Sequence, residues 1–240
     1  RIDLSDVESI HALVDGIVVD DVRLDVLVLN AATTLPKSRR LENGQDEMFM
    51  VNYLANFILV NLLLEKGAIR VGTSRPRLVF ISSDSHQGAS AVDYGEFGRY
   101  LPYGVRKAIN NYSYFKLVLN TFAVELSRRL RRANLGIDVH VICPGPVNSN
   151  IIKEAPQPLR AVLRAIFTII FPRPSKAAQA PIYVAASEDF AASRLRYLHM
   201  FNEKKMDEKV YDPEEGDQLW RRSSELWRQI DPRAQTWEPR

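Results

Sequence analysis

Cys143 is the sole cysteine among 240 residues, so no intramolecular disulfide can form and a reducing, intracellular setting is the simpler expectation. Its place inside an apolar run marks it as a core residue and not as a catalytic thiol. The histidines, His11, His86, His140 and His199, are scattered without ligand spacing, and no metal site is expected. Glycine is sparse, and no G-x-G-x-x-G or G-x-x-x-G-x-G occurs, so these residues contain no glycine-rich turn of the kind that cradles phosphates. Repeats, low-complexity segments and interdomain linkers are missing as well, and residues 1–240 read as one domain.

The apolar run A-V-L-R-A-I-F-T-I-I-F is interrupted by Arg164 and is too short to cross a bilayer, which takes about 20 residues. Segment 159–171 therefore reads first as a buried lid helix over a ligand and second as an interfacial helix touching a membrane. The chain is accordingly placed as cytoplasmic or membrane-associated. Charge is mixed: 32 basic residues face 29 acidic ones, for a net +3. The cluster Arg128, Arg129, Arg131 and Arg132 closes a helix, where cations complement the dipole, and no recognition motif beside it points to nucleic acid.

What is present alternates strictly. Leu24 to Ala32, Arg77 to Ser83 and Ile137 to Asn150 are apolar strand-like runs. Met50 to Lys66 and the segment opened by Tyr112 are helix-like and lie between them. Strand, helix, strand, helix, strand predicts an α/β fold with a doubly wound parallel sheet, Rossmann-like, whose strand ends carry the chemistry. Ser5 followed by Glu8 predicts a capped helix from Asp6 to Val19. Arg194 to Asn202 reads as a last strand and Asp212 to Ile230 as an amphipathic C-terminal helix. The stretch Ser85 to Gly104, with five glycine or proline residues, is a loop expected to border substrate.

Tyr112 and Lys116 in Y-S-Y-F-K stand four apart on one helix face, about 5–6 Å apart at Cβ. An ammonium there stabilises a phenolate, which predicts a hydroxyl able to exchange its proton near neutral pH. Tyr103 and Lys107 repeat the spacing, but they follow Pro102 in a Tyr/Gly/Pro-rich stretch, whereas Tyr112 leads directly into the amphipathic segment.

With V-N-Y-L, I-S-S, Y-S-Y-F-K and P-G-P-V-N-S in this order, the chain resembles the short-chain dehydrogenase/reductase superfamily, most of all its retinol dehydrogenase-like members. The resemblance runs from Asp3 to Leu226. It implies a catalytic tetrad of Asn52, Ser83, Tyr112 and Lys116. It also implies an NADP cofactor, NAD not being excluded, lined by Asn30, Ala31, Ala32, Pro144, Gly145, Val147 and Ser149, with Tyr112 and Lys116 at the ribose and Asp3 at the adenine. Hydride would pass between the nicotinamide and the carbon bearing the substrate oxygen, a small and lipophilic alcohol or carbonyl. Departures are Ala32 for a glycine, Ser149 for a threonine, Phe115 for a serine and Leu119 for an asparagine.

The family's glycine-rich turn belongs at its first strand-to-helix junction, and R-I-D-L-S-D resembles the end of its third strand. The expectation is thus a chain lacking the first βαβ portion, on the order of 50 residues or more where one such unit takes roughly 30. The alternative is a non-catalytic scaffold or binding protein on the same fold. A homo-oligomer pairing through the Asn52 and Tyr112 helices is a further family implication.

Overall fold

The structure, a computed structural model, describes residues 1–72, 76–145, 173–191 and 195–239. Val147, Ser149 and the 159–171 segment lie outside the described residues.

Four parallel strands, β1 (Val26–Leu29), β2 (Arg77–Ile81), β3 (Asp138–Cys143) and β4 (Arg196–His199), lie side by side in chain order. A short antiparallel strand β5 (Asn202–Glu203) closes one edge. The run expected as one last strand is therefore a hairpin, turned at Met200 with φ of 55°. Central strands β2 and β3 are buried on both faces, which is why they read as continuous apolar runs and not as alternating ones.

One face of the sheet carries Leu78, Phe80, Val139 and Val141 into the larger core. Helices α1 (Val7–Val19), α2 (Glu47–Glu65) and α3 (Val105–Arg132) build that core. The other face carries Val79, Ile81, Ile142 and Leu198 against α4 (Gln179–Ala186). The amphipathic C-terminal helix α5 (Pro213–Ile230), capped by Asp212, packs on α3.

The cap of α1 is Asp6, not Ser5. Asp6 Oδ1 accepts the Glu8 amide at 3.0 Å, while the Ser5 hydroxyl is spent on Asp3 Oδ1 at 2.7 Å. Helix α2 is long and apolar enough to cross a membrane by length and composition, but 89% of its apolar window is buried inside the fold. It is a core helix because α1 and the C-terminal segment cover it. Tyr53 bonds Ser223 at 2.5 Å, Phe57 meets Trp220 and Trp227, and the Trp237 amide donates to Asn61 Oδ1 at 3.0 Å. Within one chain, much of the α2 surface is thus covered by these internal contacts. Arg129 is likewise more than a dipole partner: buried, it stacks on Trp220 and meets Glu125, Asp217 and Glu238.

Candidate active site

The carboxyl ends of β1, β2 and β3 present the expected residues in three clusters. After β1, Asn30, Ala31 and Ala32 are exposed, and the next residue, Thr33, is gripped by Asn52. The Asn52 amide accepts the Thr33 N–H at 2.7 Å and donates to its carbonyl at 2.8 Å. Asn52 sits in a π turn, Met50–Leu54, within α2. The wide turn disturbs the regular ladder, and Asn56 Nδ2 reaches back to the Asn52 carbonyl at 3.3 Å to satisfy it.

After β2, Ser83 caps the short helix Asp84–Gly88. Its Oγ accepts the Ser85 amide at 3.2 Å, which leaves the hydroxyl proton to donate elsewhere. Its carbonyl faces His86 Nδ1 at 2.7 Å, and His86 Nε2 accepts the Asp207 amide at 3.2 Å. This tautomer pins Ser83 to the segment after β5, and burial lowers the imidazole pKa, favouring the neutral ring.

Lys116 is 2% exposed and its ammonium donates to the Ile81 carbonyl at 2.8 Å. Burial brings its pKa down to about 8. The ammonium stands 5.6 Å from the Tyr112 ring centroid, as the spacing of four requires. The half-buried Tyr112 differs from expectation. Burial first, then Cys143, pushes its pKa up to about 12, so it stands protonated at neutral pH. Spacing reveals the neighbouring ammonium but not the loss of water, and here the loss of water wins. Tyr103 and Lys107 are separated by the helix start at Val105, with Tyr103 ahead of it.

After β3, Pro144 and Gly145 follow Cys143. Gly145 has φ of 78°, and a Cβ there would meet Met200 Sδ at 3.1 Å. Only glycine lets this turn lie against the β4–β5 hairpin. Asp3 is exposed, with its carboxylate held by Ser5, and no described contact joins it to the other candidates.

Sequence reading missed a second network. Asp84 accepts from the Tyr197 hydroxyl, meets His199 Nδ1 at 2.5 Å and pairs with Lys204 at 2.6 Å. Burial opposes its ionisation, but the bonds from Lys204, Tyr197 and His199 together hold its pKa down at about 2. Cys143 joins Asp84 and His199, the three offering ligand-type atoms within 4.8 Å of one another, although Asp84 is already saturated by its donors. No short-range motif links residues 84, 143 and 199; only the folded sheet does. Asn120, fully buried one turn beyond Lys116, has neither amide atom bonded among the described residues.

Chemically, the arrangement offers a buried cation, a neutral phenol and a serine hydroxyl at the strand ends of a parallel sheet. A cofactor carrying a vicinal diol fits, because the buried Lys116 ammonium has three N–H groups and one described acceptor. This layout is that of a Rossmann-type oxidoreductase.

The comparisons agree. Retinol dehydrogenase 13 of Mus musculus is 30% identical over 231 residues, 94% of this chain and 66% of the relative. Polyprenol dehydrogenase of Homo sapiens is 29% identical, over 95% of this chain and 68% of the relative. The chain thus spans about two thirds of the length of these relatives. A short chain dehydrogenase family protein from Francisella tularensis shares the fold with TM-score 0.58 at 18% identity, covering 83% of this chain and 78% of that one. The angucycline C-6 ketoreductase LanV with bound NADP does so at 0.54 and 18%, covering 83% and 72%. No model of a known protein family matches the chain. The chain belongs to the short-chain dehydrogenase/reductase superfamily, on its retinol dehydrogenase-like branch.

Proposed function

We propose that residues 1–240 form one catalytic domain of an NADP-dependent oxidoreductase that interconverts an alcohol and a carbonyl on a lipophilic small molecule. The observation that carries this reading is the buried Lys116 ammonium, fixed to the Ile81 carbonyl beneath the protonated Tyr112. NADP is favoured over NAD by the NADP-bound fold neighbour, and a lipophilic substrate by relatives named for retinol and polyprenol.

When bound, NADPH supplies the hydride. Lys116 holds the ribose hydroxyls with its remaining N–H groups, and Asn30, Ala31, Ala32, Pro144 and Gly145 line the nicotinamide, with Val147 and Ser149 assigned from the sequence motif. Ser83 donates its hydroxyl proton to the substrate oxygen and orients it. In the reduction direction Tyr112, protonated at neutral pH, gives its proton to that oxygen as it gains charge. Asn52 fixes the β1 loop through Thr33.

Residues 1–240 contain no glycine-rich turn and the relatives are longer, so the assay uses the full-length protein. Tyr112→Phe is expected to lower NADPH-dependent reduction at least a thousandfold while leaving the NADPH Kd within twofold. Retained turnover in that variant rules out Tyr112 as the proton donor.

A further inference from the structure

On the flank of α3 next to the Tyr112 face, the first turns of α3, the loop before it and the start of α2 enclose a cavity of about 230 Å³. Ser83, Tyr112 and Lys116 do not line it. Its walls include the rings of Phe49, Tyr103, Tyr114 and Phe115, and its carboxylates are Asp46, Asp93 and Glu96. The one cation in the lining, Arg99, is already paired with Glu96 at 3.3 Å.

Asp46 makes this more than an acidic patch. It is 4% exposed; Oδ1 accepts the Phe49 amide at 3.0 Å, while Oδ2 is buried with no hydrogen-bond partner among the described residues. The Tyr103 hydroxyl on the same lining is buried and unpartnered too. A desolvated carboxylate oxygen without a donor is costly, and a cation that also donates hydrogen bonds relieves that cost. Aromatic rings in the same lining favour an organic cation over a metal ion, because they can also bury its alkyl part.

We propose that this cavity is a binding site for a primary alkylammonium, whose charged nitrogen bonds Asp46 Oδ2 and whose alkyl chain lies among the aromatic rings. An anion is disfavoured by three carboxylates against one guanidinium. A neutral alcohol of the same shape satisfies the geometry but not the charge.

The test is calorimetric titration of the protein with n-butylammonium, n-butanol and potassium chloride at constant ionic strength. Saturable binding of butylammonium is expected, with butanol at least tenfold weaker and no displacement by potassium. Asp46→Asn keeps a good helix cap and is expected to weaken butylammonium at least tenfold. Asp93→Asn, which leaves the cap untouched, is expected to weaken it severalfold and serves if the first variant fails to fold. Absence of saturable binding, equal binding of butanol, displacement by potassium, or undiminished affinity in the variants overturns the proposal. The readout is binding alone, so the outcome is independent of the oxidoreductase reading.

Discussion

Lys116 shows how burying a single charged side chain can cost stability. Its folded pKa of about 8 lies below the 10.5 of an unhindered lysine because burial penalises the charge. Below pH 8 both folded and unfolded chains carry the proton, and the folded state bears the full penalty. Between pH 8 and 10.5 the folded chain sheds its proton first, so the penalty fades and the wild type gains stability as pH rises. Lys116→Met is therefore expected to be more stable than wild type at pH 7, by on the order of 1–3 kcal/mol. Urea unfolding at pH 7 and pH 10 checks this, and the advantage should shrink at the higher pH. The shared helix face of residues 112 and 116 was legible from a spacing of four, and the place of Ser83 just past a strand end from the apolar run before it. The direction of the Tyr112 shift was not, because the α3 and β3 atoms that exclude water from the phenol come together only on folding.

At the scale of elements, the turn after β2 is held from the opposite edge of the sheet. Asp84 gathers Tyr197 and His199 from β4 and Lys204 just past β5, while His86 bonds the amide of Asp207. Ser83 directly precedes Asp84, and its carbonyl meets His86 Nδ1 at 2.7 Å. Asp84→Asn is expected to destabilise the fold by about 1–3 kcal/mol, since the amide cannot accept all three donors and leaves some of them unpaired. Asp84 has a depressed pKa, so the stability it contributes is present above pH 4 and lost as pH falls through about 2. Thermal unfolding of both proteins across pH 2–7 checks this: the curves should converge at the acid end. The periodicity of 50–66 and of the segment opened by Tyr112 announced the helices, although α3 starts about two turns earlier, at Val105, and the apolar runs announced β1 to β3. The bonds of Asn52 to Thr33 across the β1 loop were hidden, and Asp6 displaced Ser5 as a cap because Asp3 captured the serine first.

At the scale of the molecule, the core is lopsided. Helix α5 and the C-terminal tail seal the α2 and α3 side with Trp220, Trp227 and Trp237, and Asp231 ties that tail to the buried His11 of α1 at 2.7 Å. On the other face, among the described residues, α4 packs mainly against β2 and β3. There Val26 and Val28 remain 41% and 42% exposed on a strand whose outer backbone edge has no partner among the described residues. Two adjacent valines beside an open edge form a template for pairing with a second chain. The 240-residue chain, expressed as it stands, is therefore expected to self-associate with rising concentration. Val28→Lys places a solvated charge on that surface without touching the larger core, where Leu27 and Leu29 point the other way. Light scattering should show the association falling severalfold in this variant while the unfolding midpoint stays within a few degrees. If association persists undiminished at Val28→Lys, another surface drives it; if the midpoint collapses, Val28 is a core residue and the bare face of β1 is no surface at all.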